Sequence, residues 1–83
     1  MSRRPSLSRL FADLNRSHFG GRLPHTAVRR VPGLDRLGTT RMQDGRLAIL
    51  IKADHESAEH ERQTLLHEMC HVATWGVEER MWP

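Results

Sequence analysis

The dipeptide Asp44-Gly45 limits what this chain can fold into more than any other pair of residues in it. It separates a strand-like stretch, Gly38 to Met42 with Thr39 and Thr40, from the apolar run Leu47-Ala48-Ile49-Leu50-Ile51. A two-residue hairpin turn needs positive φ at its centre, and Asp-Gly adopts it at little cost, so the two stretches are expected to pair as neighbouring strands. The second stretch lacks alternation and reads as a strand buried on both faces. A further strand is expected from Thr26 to Val31, where β-branched residues recur before Pro32-Gly33 closes the segment.

Helical periodicity flanks this sheet. Leu7, Leu10, Phe11, Leu14 and His18 recur at three- and four-residue spacing and draw one apolar stripe. Ser6 is placed to cap that helix, Gly20-Gly21 supplies an exit, and Leu23-Pro24 prevents its continuation. Asp54 to Ser57 reads as a loop leading into a longer helix over 58–75. Its apolar stripe is Leu65, Leu66, Met69, Val72 and Ala73, and Gly76 is the expected stop. The expectation is an α+β unit: an N-terminal helix, a small three-stranded antiparallel sheet on which both helices pack, and a C-terminal helix. With 83 residues, the expectation is one domain spanning 1–83, incomplete at its C-terminus.

Charge is distributed unevenly. Residues 1–54 carry 11 Lys+Arg against 4 Asp+Glu, net +7, whereas residues 55–83 carry 2 against 6, net −4. The charge balance reads first as a solvated, arginine-rich surface; the alternative is that the basic front half draws in DNA by neutralising phosphates. No apolar run is long enough to cross a membrane, and none follows the basic start as a secretory signal requires. A single cysteine, Cys70, excludes an internal disulfide and points to a reducing, cytoplasmic setting, with association with DNA or the nucleoid following from the basic half.

The chemistry-bearing motif is His67-Glu68-Met69-Cys70-His71, inside the expected long helix. Two histidines four residues apart share a helix face one turn apart, so their imidazoles can converge on one Zn²⁺. Glu68 can then reach a water at that ion without ligating it, and take the proton as the water attacks a carbonyl.

Three segments, taken together, resemble the SprT-like metallopeptidase domain. They are Leu10-Phe11-Ala12-Asp13-Leu14-Asn15, then His18-Phe19-Gly20-Gly21-Arg22-Leu23-Pro24, then Leu65-Leu66-His67-Glu68-Met69-Cys70-His71. The resemblance runs from about Leu7 to Trp75 and implies a zincin-like minimal core. It also implies a Zn²⁺ cofactor, His67 and His71 as metal ligands, Glu68 as catalytic base, and a protein or peptide as substrate. The family includes Spartan-type proteases, which degrade proteins crosslinked to DNA.

The family's third ligand is a histidine further downstream, in an H-G-x-x-F segment. Here no histidine follows His71 before Pro83. The expectation is a tail beyond Pro83 carrying that ligand. The alternatives are a carboxylate, Glu78 or Glu79, folding back after Gly76, or a group from a partner or remote residue. A second functional reading is an inactive remnant of the fold that binds nucleic acid or protein. The remaining residues are expected in structural roles: His55 in an exposed loop, Cys70 as a small buried filler, Phe11 and Phe19 in the core, and Trp75 and Trp82 in packing or a cap. His60 lies two turns before His67, too far to share its ion. Arg29 and Arg30 are expected on opposite faces of their strand.

Overall fold

The computed structural model describes the backbone of residues 6–81 and the side chains of residues 6–75. The elements run α1 (Leu7–Phe19), β1 (Ala27–Val31), β2 (Gly38–Gln43), β3 (Arg46–Lys52) and α2 (Ala58–Met81). Asp44 and Gly45 both take positive φ, 52° and 77°, and join β2 to β3 in the expected two-residue hairpin.

The sheet is mixed rather than wholly antiparallel. Its order is β1-β3-β2, with β2 antiparallel and β1 parallel to β3. The reason is the composition of β3. An apolar run from Leu47 to Ile51 is best satisfied in the centre, with a partner on each edge. Ala48, Ile49, Leu50 and Ile51 are all buried there. The connection over residues 32–45, which contains β2 itself, gives β1 the length needed to come alongside β3 in the same direction.

Alternation along β3 turns Ile49 and Ile51 into the main core, beside Leu7, Phe11 and Leu14 of α1 and Leu65, Met69 and Val72 of α2. Val28, Thr40 and Gly38 are registered with these two isoleucines. The opposite face carries Ala48 and Leu50, and the same register places Arg29, Arg41, Arg46 and Lys52 around them.

Both helices depart from expectation at their ends. Ser6 stands at the N-cap of α1, but its side chain makes no capping hydrogen bond. On α2 the capping role is filled by Ser57, whose Oγ accepts from the His60 N–H at 3.0 Å, with Glu59 and Glu61 in the first turn. Gly76 does not stop α2, which continues to Met81. A glycine inside a helix costs about 1 kcal/mol, a penalty that helical neighbours on both sides can absorb. Asn15 ties α1 to the chain leading into β1: its Nδ2 donates to the Leu23 carbonyl and its Oδ1 accepts from the Leu23 N–H.

Candidate metal centre

Among the described residues, the buried positions of α2 are Glu61, Thr64, Leu65, Glu68, Met69 and Val72. Their spacing is helical, yet half of them are polar. Each buried polar group therefore needs a partner. Glu61, 1% exposed, receives two bonds from Arg30 of β1: Nε to Oε2 at 2.9 Å and an Nη to Oε1 at 2.8 Å. This fork raises the pKa of Arg30, through its hydrogen bond to Glu61. Arg29, on the other face as expected, is exposed. Thr64 bonds His55 Nε2 at 2.9 Å, while His55 Nδ1 lies 2.7 Å from the Lys52 carbonyl. His55 is thus a buried connector between β3 and α2, not an exposed loop residue, because these two bonds draw it beneath the helix.

Glu68 is 6% exposed and meets β2. Thr40 Oγ1 donates to Glu68 Oε1 at 2.8 Å and lies 3.3 Å from the Glu68 main-chain carbonyl. Two residues earlier on the same face of β2 stands Gly38. A Cβ there would sit 2.9 Å from Thr64 Cγ2 and 3.2 Å from Glu68 Cγ. The missing side chain lets β2 approach α2 closely enough for the Thr40 bond to form.

One helical turn separates His67 from His71, and their rings lie 5.0 Å apart at 81°. Ligand atoms of His67, Glu68 and His71 all lie within 4.8 Å of one another. Among the described residues this is the group of His, Cys, Asp and Glu placed to hold a metal ion. The donors fit a divalent ion of borderline softness: two imidazoles with a carboxylate beside them. His67 is exposed and His71 half-buried, which leaves the position open to solvent.

A cleft of about 460 Å³ opens beside these residues, lined by Asp35, Arg36, Gly38, Thr39, Thr40 and Trp75 as well as His67, Glu68 and His71. Trp75 therefore faces the cleft rather than only the core, and its Nε1 is shielded from solvent with no partner among the described residues. A second hollow, lined by Leu37, His60, Gln63 and Thr64, shares Gly38, His67 and Glu68 with the first. His60 borders that hollow with its ring against His55 and stands outside the metal-binding group.

Other residues fall away from the site. Cys70 is exposed rather than a buried filler, since the buried stripe passes through Met69 and Val72. Ala73 is exposed and Leu66 half-buried, so neither belongs to the innermost stripe. Phe11 is buried and Phe19 packs against the core as expected. His18 and His25 are exposed. The side chains of Glu78 and Glu79, and all of Trp82, lie outside the described residues.

The family model described as the SprT-like family matches residues 7–82. The chain belongs to the SprT-like family. The match spans α1, the sheet and α2, so this membership takes in the elements that build the His67–Glu68–His71 group. No curated protein and no solved structure matches the chain.

Thr40 and Gly38 were not legible as site residues from sequence. Thr40 is 28 positions from Glu68, and no spacing rule links them. Gly38 did carry a signal, since a glycine opening a strand marks a close backbone approach.

Proposed function

We propose that this SprT-like chain is a zinc-dependent endopeptidase, with His67 and His71 as metal ligands and Glu68 as the general base. The observation that carries this reading is the convergence of His67, Glu68 and His71 ligand atoms within 4.8 Å on one face of α2. When bound, zinc supplies a Lewis acid that polarises a carbonyl and brings the pKa of a bound water down to about 7. His67 and His71 each present one ring nitrogen as a neutral donor. Glu68 takes a proton from the attacking water on its free carboxylate oxygen and delivers it to the departing amide nitrogen as the C–N bond breaks.

Substrate placement follows from β2. Among the described residues it is an edge strand, paired in the sheet with β3 alone, and its residues Gly38, Thr39 and Thr40 line the cleft. An extended peptide can pair with that edge and pass across the two histidines. The hollows on both sides of His67 and Glu68 leave room for chain in either direction, which suits internal cleavage rather than trimming of an end.

Glu68→Gln tests the assignment. It should keep zinc and lower peptide cleavage by a factor on the order of 10²–10⁴, the range typical for a lost general base. Cleavage at the wild-type rate would remove Glu68 from the mechanism.

A specific observation also favours nucleic-acid association. Arg29, Arg41, Arg46 and Lys52 share the sheet face turned away from both helices, and no acidic residue of the strands shares it. This face gathers four of the eleven basic residues of the front half, on the side of the sheet away from the helices. Binding through phosphates would weaken steeply with salt and survive His67→Ala. Binding insensitive to salt, or unchanged in Arg29→Glu/Arg41→Glu, would rule this face out.

A further inference from the structure

Glu68 carries two oxygens, and the structure distinguishes them. Oε1 accepts from the Thr40 hydroxyl at 2.8 Å, whereas Oε2 has no partner among the described residues and is not among the polar atoms sealed from solvent. A buried carboxylate held at one oxygen by a charge-assisted bond has lost most of its rotational freedom. The donor is itself anchored. Thr40 sits in β2, paired with the fully buried Ile49 of the central strand, and a β-branched side chain has few rotamers to choose from.

We propose that Thr40 is the positioning residue for Glu68: its hydroxyl fixes Oε1 and so presents Oε2 to the reacting water in the cleft. The inference rests on the peptidase reading for its consequence, but the hydrogen bond and its orienting effect do not. Gly38 completes the device. Without a side chain it brings the strand within reach, and two residues on, the same strand face supplies the hydroxyl. A misplacement of about 1 Å in a reacting group can cost on the order of 100-fold in rate, so a single neutral hydroxyl can matter well beyond its own bond.

Thr40→Val removes the hydroxyl while keeping shape and strand preference, and Thr40→Ser keeps the hydroxyl. The test pairs steady-state cleavage of a peptide by the zinc-loaded protein with crystal structures of the three chains and their zinc content. The expected result for Thr40→Val is a Glu68 carboxylate that has left its wild-type position or occupies several. With it come unchanged zinc content, an unchanged KM and a kcat lowered roughly 10- to 100-fold. Thr40→Ser should restore both the carboxylate position and kcat. A Glu68 that stays in place in Thr40→Val overturns the proposal whatever the activity. A displaced Glu68 with wild-type kcat overturns it equally. If wild-type protein cleaves nothing, or Glu68→Gln cleaves normally, the peptidase reading fails; the crystal structures still decide whether Thr40 orients the carboxylate.

Discussion

Glu61 is a carboxylate buried to 1% exposure on the inward face of α2, and Arg30 is its bidentate partner. Such a pair contributes little net stability when both members are present, yet removing one strands the other. Arg30→Met should therefore cost about 3–5 kcal/mol in urea denaturation, while Arg29→Met, one residue away and exposed, should cost less than about 0.5 kcal/mol. The contrast was only half legible in sequence. Strand alternation placed the two arginines on opposite faces, but nothing in the spacing paired Arg30 with a residue 31 positions on. His55 illustrates the same limit. Its neighbours in sequence are loop-like, and only the fold brings Thr64 and the Lys52 carbonyl to its two ring nitrogens.

Among the elements, the hairpin was readable because its determinants are local: Asp44-Gly45 sets the turn, and the turn sets the pairing of β2 with β3. Strand order was not, because a six-residue link over 32–37 is compatible with β1 lying on either side. The end of α2 was misplaced for a related reason. Gly76 favours a stop locally, but the helix continues through it to Met81. The approach of β2 to α2 gives a sharper test. Gly38→Ala puts a methyl group against Thr64 Cγ2 and Glu68 Cγ, so it should destabilise the protein by about 1–3 kcal/mol in thermal or denaturant unfolding. It should also lower kcat, since the strand that holds Thr40 must move outwards. Unaltered stability and activity would show that β2 yields freely at this point.

On the scale of the whole molecule, the fold separates two surfaces. The cleft and its histidines lie where α2 meets the edge strand β2, while four cationic side chains gather on the far side of the sheet. The motif led to the expectation that two histidines and a glutamate would converge on one helix, and their ligand atoms lie within 4.8 Å of one another there. The second surface was visible in sequence only as a charge imbalance, and the strand register assigns four of the residues behind it to one face. If zinc binds the folded chain alone, at 100 times its dissociation constant it should add about 2.7 kcal/mol to stability, and a chelator should remove that increment reversibly.

The most direct measurement is a zinc titration by calorimetry, with the bound metal counted per chain, on the wild-type protein, His67→Ala, His71→Ala and the double variant. The geometry predicts one zinc per wild-type chain, a sharp loss of affinity for each single variant and no stoichiometric binding in the double variant. Zinc held as tightly by the double variant as by the wild type would show that the paired imidazoles of α2 are not the metal site, and the hydrolytic mechanism built on them would fall with it.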